Sequence, residues 1–157
     1  MIWKMATNLV HGGKVNPVQF MDYTLGGLFY RFISENITDY CNQLMREAGV
    51  ENADYVHMTD DLAENARAQI INAKGFFILP SQLFINVANA AKNNTELNTT
   101  LSNNFRAIEN SAIGTPSEND VKGLFNNFNT NDQGLGSTVA ERNELLTTLL
   151  ESIRDLN

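Results

Sequence analysis

Apolar residues recur along most of this chain at spacings of three and four, the period of helices that bury one side. Residues 1–11 read as a first helix with Ile2, Met5, Ala6, Leu9 and Val10 on its apolar side and Trp3 as a packing anchor. Gly12-Gly13 stops it, and His11 serves as a C-terminal capping residue. Asn16-Pro17 then opens a helix of about thirty residues, long for a globular protein, because Asn caps well and Pro fits the first helical position. Its apolar stripe runs Met21, Leu25, Leu28, Phe29, Phe32, Ile33, Ile37, Tyr40, Cys41, Leu44, Met45 and ends at Gly49. Gly26-Gly27 sits mid-helix, where glycine is unfavourable, so the pair is read as a site of close packing by another backbone, with a kink nearby. Arg31 and Glu35, four apart, form a surface pair.

Beyond Gly49 the pattern shortens. Residues 50–58 are a loop with an extended piece at 55–57. Thr59 caps a polar helix from Asp60 to about Ala73, and the apolar run 75–80, closed by Pro80, reads as a brief strand. Ser81 starts a helix carrying Leu83, Phe84, Val87, Ala88 and Ala91, which Lys92-Asn93-Asn94 breaks. Thr95 to Ser111 is amphipathic through Leu97, Leu101, Phe105 and Ile108. Thr115-Pro116-Ser117-Glu118 is a capping-box signature for a short helix with Val121, Leu124, Phe125 and Phe128. A polar loop fills 129–136, and Thr138 with Glu141 repeats the box before a last helix to about Asp155, carrying Val139, Leu145, Leu146, Leu149, Leu150 and Ile153. The predicted fold is all-α: six to seven helices in one bundle-like domain over 1–157, with a short two-stranded β ribbon pairing 55–57 with 76–78. The last helix stops within two residues of Asn157, so a domain boundary is expected there.

Composition narrows the function classes. At 43% hydrophobic and 18% charged, the chain is typical of a globular domain, and no apolar run is long enough to span a bilayer. No signal-peptide layout opens it, so a cytoplasmic location is expected. The one cysteine, Cys41, excludes an internal disulfide and lies on an apolar stripe, where it reads as a small core residue. With two histidines it also argues against a structural zinc site. The net charge of −7 and the scatter of eleven Lys and Arg argue against strong autonomous DNA binding, which needs a basic stripe to neutralise phosphates.

Catalytic layouts are missing. There is no P-loop, dinucleotide turn, nucleophile elbow or His-Glu-x-x-His motif, and Gly134-Leu135-Gly136 follows a polar loop rather than a strand. Asp60 and Asp61 can be read as a catalytic carboxylate pair together with Glu64, but first-turn acids stabilised by the helix dipole explain them without a site. No catalytic, cofactor-binding or metal residue is assigned.

One set of segments carries more information. Trp3-Lys4-Met5-Ala6, then Tyr23 to Asn36, then Lys74 to Phe84, then Ala107 to Ala112, Pro116-Ser117-Glu118 and Val121 to Phe125 together resemble, in order, the N-terminal domain of the modification (M) subunit of type I restriction-modification systems, HsdM. The resemblance implies a helical domain followed, C-terminal to this fragment, by a catalytic domain of an N6-adenine DNA methyltransferase that uses S-adenosylmethionine. It also implies partners: that catalytic domain, a specificity (S) subunit, a second M subunit, a restriction (R) subunit, and DNA within the full complex. Such enzymes hold a flipped adenine with an Asn-Pro-Pro-aromatic motif. Asn16-Pro17-Val18 lacks the second proline and the aromatic residue, so no cofactor or catalytic role is carried over. The implied role is assembly and clamping around DNA, with Tyr30, Arg31, Lys74 and Lys122 as candidate contact residues. The alternatives are a stand-alone helical protein-interaction module, such as an adaptor, and a small enzyme built on Asp60, Asp61 and Glu64.

Overall fold

The computed structural model describes residues 17–156. The helix expected at 1–11, with Trp3, His11 and the Asn16 cap, lies outside the described residues. Seven α-helices and four 3-10 turns follow, with no strand among the described residues.

Helix α1 (Pro17–Glu47) is the axis of the molecule. Proline stands at its first position as expected, and the helix runs unbroken through Gly26-Gly27. Its buried face is Tyr23, Thr24, Gly26, Gly27, Tyr30, Ile33, Ser34, Ile37 and Cys41. Both glycines are close-packing sites, against side chains rather than backbone. A Cβ on Gly26 would lie 2.5 Å from Phe128 Cδ2, and one on Gly27 would collide with Ile153 Cδ1. The face drawn from periodicity is therefore only half right. Ile33, Ile37 and Cys41 are buried, whereas Met21, Leu25, Phe29 and Phe32 are 62%, 44%, 42% and 65% exposed. Small and polar residues hold the inner face because the partners press closest there.

The segment expected to be one helix from 60 to 73 is two, α2 (Asp60–Glu64) and α3 (Arg67–Lys74). Across the break Glu64 and Arg67 form a two-point ion pair at 2.7 Å, and Arg67 lies 4.5 Å over the Phe77 ring. Gly75 ends α3 in the left-handed region at φ 86°. No β ribbon forms. Tyr55–His57 is a 3-10 turn and 76–79 is irregular. Side chains satisfy the backbone groups that a ribbon would have paired: Ser111 Oγ accepts from Phe77 N, and the Tyr55 hydroxyl donates to Ile78 O.

Pro80–Gln82 is a second 3-10 turn leading into α4 (Phe84–Ala90), whose first amide donates to buried Ser34 Oγ on α1. Ala91–Asn93 is a third such turn. Helix α5 (Leu97–Ser111) presents Leu97, Leu101, Phe105 and Ile108 to the core, and α6 (Glu118–Leu124) follows. The fourth turn, Gln133–Leu135, precedes α7 (Val139–Arg154), which packs on α1, α4 and α5. The second capping box forms with one change: Thr138 Oγ1 accepts from Glu141 N as expected, and the Glu141 carboxylate accepts from Ser137 N rather than Thr138 N. The box expected at Thr115–Glu118 does not form: α6 starts after Ser117 with no side-chain cap, Thr115 Oγ1 accepts from Ser117 N, and Glu118 accepts from Gly114 N. Val139, placed on the apolar side of α7, is 46% exposed.

Tyr30 is the hub where α1, α4, α5 and the segment after α6 meet. It is wholly buried, with edge-on contacts to Phe84, Phe105 and Phe125 at centroid distances of 5.6, 5.2 and 6.2 Å. Its hydroxyl donates to Gln82 O and accepts from Asn104 Nδ2 at 3.5 Å.

Three outcomes follow from this packing. Gly26→Leu should lose about 1–3 kcal/mol through overpacking against Phe128, read as a lower urea midpoint; an unchanged midpoint would contradict the close fit. Tyr30→Phe leaves Gln82 O without its buried donor and should lose about 1–3 kcal/mol while keeping the helical circular dichroism spectrum. Burial pushes the Cys41 thiol up to about 11 from its ordinary 9.0, and raises the Tyr23, Tyr30 and Tyr55 hydroxyls likewise, chiefly by desolvation. The unfolded chain therefore releases these protons first, so stability should hold below pH 9 and fall as pH rises from 9 towards 11. Denaturant midpoints across that interval measure it, and native Cys41 should resist a disulfide-exchange reagent that labels it at once in urea.

Candidate interaction surface

The acids that sequence reasoning weighed as a site come first. Asp60 and Asp61 lie in the first turn of α2, and Thr59 Oγ1 accepts from Leu62 N at 3.4 Å. The Asp60 carboxylate accepts from Ser81 N and Ser81 Oγ at 3.0 and 2.6 Å, which ties α2 to the 80–82 turn. Glu64 faces Arg67, whose hydrogen bonds hold the carboxyl below its usual range. Two of the three acids thus make structural ties, and the Glu64 carboxyl is held low, the opposite of what a general acid requires. Val56, His57, Asp61 and Asn86 join Asp60 and Ser81 around an open cleft of about 530 Å³. His57 is exposed and pairs with Asp54 at 2.5 Å, and Asn86 Nδ2 donates to Val56 O and Pro80 O. No group of three or more His, Cys, Asp and Glu among the described residues is arranged to hold a metal ion.

The four contact candidates fall on separate elements. Tyr30 is in the core with no exposed surface, which withdraws its side chain from any outside partner. Arg31 pairs with Glu35 at 2.9 Å as expected, but Nη1 also donates to Ile153 O and Leu156 O, capping the C-terminal end of α7. It lines a cleft of about 230 Å³ between α1, α4 and α7, with Glu35, Asp39 and Arg154. Lys74 is half-buried, its Nζ 5.6 Å from the Tyr40 ring. Lys122 is exposed on α6 and, with Arg106, offsets the rise that burial imposes on the Glu109 carboxyl.

The largest unanticipated feature is the outer face of α1. Val18, Met21, Leu25, Phe29 and Phe32 are 72%, 62%, 44%, 42% and 65% exposed, with half-buried Leu28 at their edge. At about 100° per residue this stripe lies roughly 150° around the helix from the buried face. It stops where Asn36 and Gln43 take over the same side. The signal was present in the sequence: Val18, Met21, Leu25, Leu28 and Phe32 follow a heptad seam, distinct from the Tyr23–Cys41 face. None of the helices among the described residues is long and apolar enough to cross a membrane.

Against known proteins, residues 1–153 match the family model described as HsdM N-terminal domain. The type I restriction enzyme MpnII methylase subunit of Mycoplasma pneumoniae is 43% identical over 159 aligned positions, covering 97% of this chain and 29% of that protein. The crystal structure of the type I restriction-modification system methyltransferase subunit from Streptococcus thermophilus superposes with a TM-score of 0.76 over 99% of this chain and 33% of its own, at 20% identity. The chain thus spans about a third or less of the proteins it matches. The helical architecture, the match along nearly the whole length and the close methylase relative lead to one assignment: this chain belongs to the HsdM N-terminal domain family, the N-terminal domain of type I restriction-modification methylase subunits.

Proposed function

We propose that this domain is the assembly and DNA-clamping part of a site-specific DNA adenine-N6 methyltransferase, contributing no catalytic residue of its own. The match to the HsdM N-terminal domain over residues 1–153 carries this reading. In it, the domain packs against its own C-terminal catalytic domain and works in the cytoplasm with a specificity subunit, a second M subunit and a restriction subunit. Arg31, Lys74 and Lys122 are its contact residues. Methylation at N6 requires the adenine to leave the stacked duplex, so the enzyme must enclose DNA before it reacts. A rigid helical domain that closes on the complex serves that step.

S-adenosylmethionine supplies the methyl group in such enzymes, and the described residues do not fit it. The one Gly-x-Gly turn is packed shut: a Cβ on Gly134 would lie 2.9 Å from Gln19 Oε1, and one on Gly136 2.6 Å from Glu141 Cβ. Calorimetry of this chain with S-adenosylmethionine should show no binding heat. A methylase subunit lacking these residues should retain cofactor binding but lose assembly with its specificity subunit and methylation of target DNA. Saturable cofactor binding by the chain, or full assembly and methylation without it, would overturn the proposal.

A further inference from the structure

A polar cleft of about 230 Å³ lies between α5 and the segment after α6, and its chemistry is one-sided. Phe105, Phe125 and Phe128 form its floor. Phe105 stacks on Phe125 with centroids 4.1 Å apart and meets Phe128 edge-on at 5.2 Å. Above this floor stand Ser102, Arg106 and Glu109, on one face of α5 at helical spacing, and the loop residues Asn129, Thr130 and Asn131. The loop is fixed through its acceptors. The Tyr23 hydroxyl donates to Asn129 O at 3.0 Å, Asn131 N donates to Asn129 Oδ1 at 3.0 Å, and Asn98 Nδ2 donates to Asn131 Oδ1 at 2.7 Å. Both side-chain oxygens are thus engaged, and neither Nδ2 has an acceptor among the described residues. Arg106 is exposed and makes no hydrogen bond among them. Thr130 is only 3% exposed, yet its side chain makes none either. A buried polar side chain without a partner is uncommon in a folded protein. The loop's acceptors are spent inside the fold, and its donors remain. Glu109 is the cleft's one carboxylate, and both Arg106 and Lys122 act on it, so two cations meet one anion there.

We propose that this cleft receives a carboxylate of a partner polypeptide, an Asp or Glu side chain, held by the Arg106 guanidinium and by the hydroxyl and amide donors of Ser102, Thr130, Asn129 and Asn131. A guanidinium presents a planar fork of N–H groups that matches the two oxygens of a carboxylate. The uncharged donors take the remaining lone pairs. A phosphodiester offers similar acceptors, but it belongs to a polyanion that would extend past the cleft over a chain of net charge −7. One carboxylate brings a single negative charge, and beyond a Debye length of about 8 Å the rest of the surface is screened from it. The floor is part of the aromatic core and the loop is tied down, so binding orders little. The identity of the partner rests on the assembly role proposed above; the donor chemistry of the cleft stands without it.

Sodium acetate, titrated at constant ionic strength into the isotope-labelled 157-residue chain, should saturably shift the side-chain amide NMR signals of Asn129 and Asn131 and the Nε–H signal of Arg106. Arg106→Gln should weaken this binding about tenfold and Thr130→Val about threefold. Lys92→Gln, which removes a cation paired elsewhere with Glu151, should leave it unchanged. Circular dichroism and thermal midpoints verify that the variants are folded. In the complete multi-subunit enzyme, Arg106→Glu should weaken assembly about tenfold, read by sedimentation. Absence of saturable shifts, or shifts that survive Arg106→Gln, would overturn the site. Duplex DNA that moves the same signals at lower concentration than acetate, with an affinity falling steeply with salt, would overturn it in favour of phosphate. Assembly that withstands Arg106→Glu but is lost when the whole domain is deleted would overturn the partner assigned to the cleft and leave the assembly reading intact.

Discussion

Two absent side chains determine how closely the rest of the molecule packs on α1. At Gly26 and Gly27 the helix surface is bare backbone, and Phe128 and Ile153 occupy the space that Cβ atoms would take. Those two residues come from the segment after α6 and from α7, elements more than a hundred positions away in sequence. One turn further on, Tyr30 gathers Phe84, Phe105 and Phe125, and Phe105 stacks on Phe125 with centroids 4.1 Å apart. Arg31, next in the chain, fixes the far end of α7 by bonding its last carbonyls. The six residues from Gly26 to Arg31 thus set the position of both the aromatic core and the closing helix. This is a long-range constraint, which explains why a pair that weakens the helix locally is tolerated.

With no strand among the described residues and several helices of two turns or fewer, many backbone groups have no partner within their own element. Side chains from distant elements supply them. Ser34 on α1 accepts the first amide of α4, and Asn143 on α7 both accepts from Asn98 N and donates to Thr95 O, joining the start of α5 to α7. Asn42 accepts Tyr55 N, and Ser111 bonds Phe77 on both its amide and its carbonyl. The abundance of Asn thus has a mechanical meaning: short amides with both donor and acceptor splice irregular segments onto helices.

Local rules were legible and long-range ones were not. The caps at Thr59 and Thr138, the start at Pro17 and the extent of α7 follow from neighbours within four residues, and the structure has them in place. The predicted ribbon failed because Tyr55-Val56-His57 has strand-like residues but finds side-chain partners instead of a second strand. The inner face of α1 was misdrawn because hydrophobicity was the guide, and the face that packs tightest carries Gly, Thr and Ser. Tyr30 was misplaced among contact residues for the same reason: it borders the apolar stripe in the sequence but points to the opposite side of the helix. The absence of a catalytic layout could be read from spacing; which basic groups remain available to a partner could not, since that depends on their contacts in the fold.

Those contacts bear on how such a domain could hold DNA. Among the described residues most cations already have protein partners. Arg31 is bound to the end of α7 and Glu35, Arg67 to Glu64 and the Phe77 ring, Arg154 to Asp155 and Asn89, Arg142 to Gly136 O, Lys92 to Glu151, and Lys74 to the face of Tyr40. Arg106 and Lys122 stand near Glu109, which cancels part of their field. Phosphate binding gains its strength from cations that exchange small counterions for the backbone. Cations already engaged with carboxylates and carbonyls gain less from that exchange, and the surrounding net charge of −7 opposes approach to a polyanion. The charge distribution therefore favours contact with protein over contact with a polyanion.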